Sequence, residues 1–152
     1  MSTGARFQFF RVDPADQSRM TSWTHHLSRL TGVPVAAEAT DPVYLWHLAA
    51  GNHRVLARGA RAYASIDLGW QHVEALLDER GELVPRMVRL ESTRDYGWML
   101  LFDGQPAVTC ARWYSMERDR RDSLRSAREA FERLARDPRR EPELVTPARE
   151  RA

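Results

Sequence analysis

Three observations predict an α+β domain of two β-β-β-α repeats, which form a mainly antiparallel sheet packed by helices, with an inserted N-terminal helix. Short aromatic runs alternate with turns that contain glycine, a pattern typical of β-hairpins. Each pair of runs is followed by apolar residues at helical spacing. The order strand, turn, strand, helix occurs twice, in residues 44–77 and in residues 96–134.

The first repeat begins with the aromatic run Phe7–Val12, which predicts a strand. Four apolar residues at i, i+3, i+7 and i+10 then predict the inserted helix near residues 17–31, and they are Met20, Trp23, Leu27 and Leu30. The segment 32–42 contains two prolines and no sustained period, so we expect a loop there.

A hairpin and a helix complete this repeat. Tyr44–Ala49 alternates as a packed strand does, Gly51-Asn52 supplies residues that tolerate a positive φ, and Arg54–Arg58 returns as the partner strand. A helix is predicted over residues 66–78, with Ser65 as its N-cap.

The second repeat contains three predicted strands, Met87–Leu90, Tyr96–Phe102 and Ala107–Trp113. Asp103-Gly104 is a strong signal for the hairpin between the last two. A helix is predicted over residues 122–135, capped by Asp122 or Ser115.

The two repeats define one domain. Trp46 and Trp98 are 52 residues apart, and Tyr63 and Tyr114 are 51 apart, so two independent anchors give the same offset within one residue. We therefore predict a single α+β domain over residues 1–135, with repeats at about 5–78 and 84–135. Residues 136–152 are rich in proline and charge, which predicts a flexible C-terminal tail.

The composition argues against a disulfide-stabilised, membrane-spanning or secreted protein. A chain of 152 residues can bury a core without a disulfide, and the single cysteine, Cys110, cannot form an internal one. No apolar run is long enough to span a bilayer, and the N-terminus has no secretory signal, so we expect a cytoplasmic protein without membrane association. All 23 basic residues are arginine, but the net charge is only +2.

The residues around the first hairpin carry a resemblance to a known family. The sequence LAAGNHRVLA with YAS at Leu48–Ser65, and more loosely FDGQPAV with YS at Phe102–Ser115, resembles the YegP-like family of tandem β-β-β-α proteins. The chain departs from that family in its turn residues, in its inserted helix and in its length. The resemblance implies a two-repeat α+β domain and self-association as a dimer, and it implies no catalytic residues.

Two candidate sites follow from residue types. Aromatic rings and polar groups could line a pocket for a small hydrophobic ligand, and the candidates are Trp46, His47, Arg58, Trp98 and Trp113. An aromatic ring beside arginines could instead bind nucleic acid, and those candidates are Trp113, Arg118, Arg121, Arg125 and Arg128. Residues 117–133 hold six arginines but also five acids, so a solvated, salt-bridged helix is the favoured interpretation.

Metal binding and catalysis have weaker support. Five histidines are present, and a metal site would join some of them, such as His47 and His53 across the hairpin, with Asp41 or Asp67. Zinc needs three or four convergent ligands, so surface or hydrogen-bonded histidines are the favoured interpretation. His47 beside Asp41 or Glu74 is the one general-base hypothesis. The sequence contains no complete catalytic or nucleotide motif.

These observations favour a non-catalytic interaction or ligand-binding module without cofactor or metal, which forms a homodimer and has a small molecule or a protein as its partner. Two alternatives stay open: a nucleic-acid-associated accessory protein, and a small enzyme or hydrophobic-ligand binder with an aromatic pocket.

Overall fold

The structure is a computed structural model that describes residues 4–13, 15, 17–35 and 41–145. Its strands are β1 Arg6–Val12, β2 Val43–Ala49, β3 Val55–Gly59, β4 Val84–Arg89, β5 Tyr96–Phe102, β6 Gln105–Cys110 and β7 Glu143–Val145. Its helices are α1 Gln17–Thr31, α2 Ile66–Asp78 and α3 Glu117–Ala135, with a short 3₁₀ turn at Arg80–Glu82.

The strands form one seven-stranded sheet in the order β4-β5-β6-β3-β2-β1-β7. Neighbouring strands are antiparallel except β1 and β7, which are parallel. The predicted α+β class and the mainly antiparallel sheet are therefore confirmed. The equivalence of the two halves as a repeat stays a prediction.

Alternation along β1 defines the two faces of the sheet. Phe7 makes edge contacts with Trp70 of α2 and Phe131 of α3. Val12, on the other parity, packs with Met20 of α1. We call these sides the α2/α3 face and the α1 face, and the larger core lies on the α2/α3 face.

The two halves contain corresponding backbone contacts beyond their strands. Tyr44 forms an isolated antiparallel bridge with Tyr63, and Tyr96 forms one with Tyr114. Each pair exchanges two backbone hydrogen bonds of 2.7 and 2.9 Å. These bridges hold the segment between each hairpin and the following helix beside the first strand of that hairpin.

Helix ends agree only partly with the sequence prediction. Ser65 caps α2 as predicted, because its Oγ accepts a hydrogen bond of 3.1 Å from the Leu68 N–H. The cap prediction for α3 was wrong: the helix begins at Glu117 and its N-cap is Met116, which makes no side-chain cap hydrogen bond. Glu117 and Asp119 in the first turn favour this earlier start through the helix dipole.

The turns of the β2-β3 and β5-β6 hairpins differ from one another. Asp103 (φ +54°) and Gly104 (φ +77°) both adopt positive φ, as their sequence predicts. In the first hairpin the positive φ falls on His53 (φ +69°) and not on Gly51-Asn52. The Ala50 N–H donates to the Arg54 carbonyl at 2.7 Å, so three residues form the loop and the last of them takes the left-handed position.

Strand limits in the second half also differ from the prediction. β4 begins at Val84, earlier than predicted, and includes Pro85. Proline is tolerated there because β4 is an edge strand. β6 ends at Cys110 and does not reach Trp113, because the chain leaves the ladder before the Tyr114 bridge.

Residues 136–145 of the charged segment after α3, predicted to be part of a flexible tail, contact the folded domain in the structure. Arg140 forms a two-pronged ion pair with Glu74 of α2, with both N–O distances 3.1 Å. Its guanidinium also donates to the carbonyls at the end of α3. The Arg140–Glu74 ion pair anchors the chain just before β7, which lies beside β1 with Glu143 opposite Gln8. The remainder of the predicted tail, 146–152, lies outside the described residues.

Candidate functional site

A groove of about 1070 Å³ runs along one side of α3. Its second wall is the end of α2 with the 3₁₀ turn, and Leu100 of β5 contributes to its floor. The lining residues are Asp78, Arg80, Gly81, Leu83, Leu100, Arg121, Leu124, Arg125, Arg128, Glu129, Phe131, Glu132, Arg133 and Arg136. We refer to this set as the α3 groove.

The α3 groove combines an apolar floor with a basic rim. Four apolar side chains belonging to the core line it, and they are Leu83, Leu100, Leu124 and Phe131. Six arginines and three carboxylates surround them, a formal excess of three positive charges. The site can therefore receive a ligand that is apolar on one side and anionic on the other.

The carboxylates neutralise only part of the rim. Arg80 pairs with Glu132 at 2.7 Å, and Arg136 pairs with the same carboxylate at 3.3 Å. Hydrogen bonding to Arg80 lowers the pKa of Glu132 and raises that of Arg80. Among the described residues, Arg121, Arg128 and Arg133 have no ion-pair or hydrogen-bond partner for their guanidinium groups. These three cations are available to a ligand.

The predicted aromatic pocket is divided by the sheet. Trp46 and Trp98 lie on the α2/α3 face and are 1% and 0% exposed. The Trp98 Nε1–H donates to the Ser123 Oγ of α3 at 3.0 Å. His47 and Arg58 are paired in register on the α1 face. The structure therefore does not bring the two tryptophans together with the two polar residues.

Trp113 lies on the α1 face as well. Its ring contacts His26 edge-on and carries the Arg29 guanidinium at 5.4 Å from the ring centre. The predicted nucleic-acid residues Arg121, Arg125 and Arg128 line the α3 groove on the opposite face. Trp113 is thus separated from these arginines by the sheet.

The remaining arginines of α3 have different environments. Arg118 is exposed and does not line the α3 groove. Arg120 is 8% exposed, lies over the Tyr96 ring at 4.9 Å and donates to the Val88 carbonyl at 3.1 Å. Arg120 therefore joins α3 to the β4-β5 hairpin.

His47 belongs to a chain of side-chain contacts across the α1 face. Its Nε2 lies 2.8 Å from the Gln8 Oε1, and the Gln8 Nε2 donates to Glu143 of β7. Glu74 is on α2 and pairs with Arg140, so it is not beside His47. The general-base pair with Glu74 is therefore wrong. Among the described residues, no group of three or more His, Cys, Asp or Glu side chains could hold a metal ion.

Burial of His47 has a consequence for stability. Desolvation, with Arg58 adding to it, lowers the pKa of His47 to about 4, so the folded protein holds this ring neutral. The unfolded chain takes up the proton near pH 6.5, so stability falls as the pH is lowered from about 6.5 towards 4. We expect His47 alone to account for a loss of about 1–2 kcal/mol between pH 7 and pH 5.

Urea unfolding at several pH values tests this, with His47→Gln as the variant, because glutamine keeps a donor for Gln8 and does not titrate. His47→Gln is expected to flatten the acid limb, and the exposed His25→Gln is the matched control. Equal slopes in wild type and His47→Gln would contradict the assignment.

The other titratable groups of the core are structural. The Tyr63 hydroxyl lies 2.5 Å from the His72 Nδ1; burial raises the pKa of Tyr63 and lowers that of His72. The corresponding tyrosine, Tyr114, donates to Ser123 at 2.8 Å. Cys110 is fully buried and desolvation raises its pKa to about 11, which makes it a poor nucleophile.

The sequence predicted the α3 wall of the α3 groove but not the wall formed by the end of α2 and the 3₁₀ turn. Arg121, Arg125 and Arg128 were predicted as a surface, but Arg80 and Leu83 come from a turn about forty residues earlier. Helical spacing from Leu124 to Phe131 indicated the apolar side of α3. It could not show that this side borders a groove.

Comparisons with known proteins agree on the fold. No protein family and no curated protein matches the chain. Its structure is similar to that of yegP from E. coli, a protein of unknown function, with a TM-score of 0.55 and 10% identity over 96% of this chain and 97% of that one. It is also similar to a UPF0339 protein from Shewanella oneidensis, with a TM-score of 0.53 and 11% identity over 94% and 92% of the two chains.

The YegP-like resemblance predicted from the sequence is confirmed at the level of the fold. Identities near 10% carry no residue roles to this chain. Among the described residues, no helix is long and apolar enough to cross a membrane.

Proposed function

We propose that the protein is a non-catalytic interaction module whose α3 groove binds an acidic, amphipathic helical segment of a partner protein. The proposal rests on three arginines that border a floor of core leucines and Phe131, namely Arg121, Arg128 and Arg133. Their guanidinium groups have no partners among the described residues. This proposal takes up the interaction-module prediction from the sequence. The cytoplasmic location and the equivalence of the two halves as β-β-β-α repeats remain predictions.

The dimensions of the groove support an elongated ligand. Its α3 wall runs from Arg121 to Arg136, which is about 22 Å at the rise of a helix. A helix of roughly 15 residues has the same length. Helix-in-groove recognition uses apolar side chains at i, i+3, i+4 and i+7 on one face, and the complementary surface here is the largely buried leucine floor together with the alkyl stems of the arginines that border it.

The distribution of arginines in the α3 groove favours an extended anionic ligand over a ligand with one anionic group. Cations stand along the whole length of the groove, so a ligand with a single anionic head would leave most of them unused. An amphipathic helix with glutamates on either side of its apolar stripe places several carboxylates along the same length. Each exposed pair contributes little, about 0.2–1 kcal/mol, so several must act together.

Nucleic acid is the weaker candidate for this surface. Single-stranded nucleic acid is usually held by exposed aromatic rings on which bases stack. Phe131 is the one aromatic residue lining the groove and is 3% exposed, while Trp113 lies across the sheet.

The proposal can be tested by fluorescence anisotropy with a labelled, end-capped helical peptide that has leucines at i, i+3, i+4 and i+7 and glutamates on either side of that stripe. Arg121→Glu/Arg128→Glu is expected to weaken binding about tenfold or more, because two attractions become repulsions of about 1 kcal/mol each. Arg118→Glu/Arg139→Glu makes the same charge change at exposed positions outside the groove and is expected to bind nearly as wild type.

Two comparisons separate the alternatives. A peptide with its leucines replaced by glutamine is expected to bind poorly, because it cannot cover the apolar floor. A single-stranded oligonucleotide is expected to bind weakly. Tighter binding of the oligonucleotide than of the peptide, with a steep dependence on salt, would replace this proposal by the nucleic-acid alternative. Equal binding by both double variants would also overturn it.

A further inference from the structure

The outer edge of β4 is open in the part of the chain that the structure describes. β4 ends the sheet, and five of its six residues are exposed. Val84 and Met87 are 59% and 47% exposed, which is unusual for apolar residues on a strand. The other edge strand, β7, is only three residues long and pairs with β1, so β4 is the longer of the two edges. An open edge with exposed apolar side chains is a surface for strand pairing.

Backbone geometry identifies the free groups of this edge. Tyr96 exchanges both of its backbone hydrogen bonds with Tyr114, so its amide and carbonyl point away from β4. The direction of the backbone N–H and C=O groups alternates along an antiparallel strand, so those of Gly97 and Met99 point towards β4. There they form hydrogen-bonded pairs with Val88 and Arg86, respectively. Leu90, of the same parity as Val88, donates its N–H to Asp95 at 2.8 Å, which agrees with this assignment.

Residues of the other parity therefore direct their backbone groups outward. Met87 and Arg89 each present an N–H and a C=O, and Pro85 presents a carbonyl alone. The free edge thus offers two donors and three acceptors. Proline stands at an outward position, where its missing N–H costs the β4-β5 ladder nothing.

We propose that this edge pairs with β4 of a second copy of the chain, antiparallel and centred on Met87. In this register the two Met87 residues exchange two hydrogen bonds, and each Arg89 N–H donates to the Pro85 carbonyl of the other copy. All four outward donors of the two copies are then used. The pairing is independent of the α3 groove and of what binds there.

Side-chain matching favours a second copy over an unrelated strand. Met87 meets Met87, and the exposed Val84 lies opposite Leu90 of the other copy. Arg86 lies opposite Val88 and Arg89 opposite Pro85, so no two arginines face one another directly. The two-fold axis closes the assembly, because each copy has its β4 edge covered by the other.

The expected dimer is weak. One six-residue edge buries less than the roughly 1,200 Å² at which specific stable complexes begin. Sedimentation velocity from about 10 µM to about 1 mM should therefore show a concentration-dependent rise in the weight-average mass, as expected for a transient interface.

Cysteine cross-linking tests the register. In Met87→Cys, the two Cα atoms lie about 5.5 Å apart at the axis, within disulfide range. In Val84→Cys, the two thiols start six residues apart along the paired strands, about 20 Å, although Val84 is the more exposed residue. Mild oxidation should therefore cross-link Met87→Cys at least about tenfold faster than Val84→Cys, because pairing raises its local thiol concentration. The native Cys110 is buried and gives no background.

Met87→Asp provides a second measurement. It brings two carboxylates together at the axis and should abolish the concentration-dependent mass while leaving the melting temperature nearly unchanged, because the side chain is half exposed. A wild type that stays monomeric over the whole range overturns the proposal. Equal cross-linking of Met87→Cys and Val84→Cys also overturns it, because it shows association without this register.

Discussion

Replacing Trp98 with alanine is expected to lower the free energy of unfolding by about 3–5 kcal/mol, which is a large part of the stability of a domain of this size. Trp98 is 0% exposed and its ring lies between the sheet and α3. Truncation leaves a cavity where closely packed neighbours cannot follow, and it removes the hydrogen bond to Ser123. Urea unfolding followed by circular dichroism measures the loss.

Trp113→Ala is the matched control for this experiment. Its ring is only partly buried, against α1, so a clearly smaller loss is expected. Similar losses for the two tryptophans would show that the α2/α3 face does not hold the main core. The placement of Trp98 as a core residue, and not as part of a ligand pocket, would then be wrong.

Gly59→Ala is expected to destabilise the protein by about 1–3 kcal/mol, although alanine usually stabilises relative to glycine. A Cβ atom at residue 59 would lie 2.5 Å from the Cε2 and Nε1 atoms of Trp46. Trp46 is 1% exposed and cannot retreat without moving the ring of Phe7, which it meets at 5.2 Å. The melting temperature and the urea midpoint should both fall.

Two further variants decide whether the clash is the cause. Gly81→Ala introduces the same methyl group where nothing lies within 4 Å, and it should be neutral or slightly stabilising. Trp46→Phe in the Gly59→Ala background should recover part of the lost stability, because the smaller ring leaves room. A cost for Gly59→Ala that Trp46→Phe does not reduce would contradict the steric explanation.

The sequence was sufficient for the features that depend on local pattern. Alternation in Tyr44–Ala49 and the helical spacing of Leu124 and Phe131 specify which side of each element is apolar. Asp103-Gly104 specifies its turn, because few other residue pairs tolerate two successive positive φ angles. These signals gave the α+β class and the order of the strands along the chain.

Features that depend on distant residues were not predictable in this way. The α3 groove needs the turn at Arg80 and the helix at Arg128 to lie side by side, and no local period encodes that distance. Trp113 precedes the arginines of α3 by only a few residues, yet its ring packs on the opposite face. Proximity in sequence was therefore a poor guide to a shared surface.

The Arg140–Glu74 ion pair that anchors β7 also determines when the sheet becomes complete. The Gln8–Glu143 contact joins residues 135 positions apart. Closing a loop of that length costs about 4 kcal/mol in chain entropy, whereas the hairpins close loops of only a few residues. β7 should therefore join after α2 and α3 have docked, since Arg140 needs Glu74 in place. Until that last step the seven-residue strand β1 is an open edge, in addition to β4, and this is the interval in which the folding chain is most exposed to pairing with another chain.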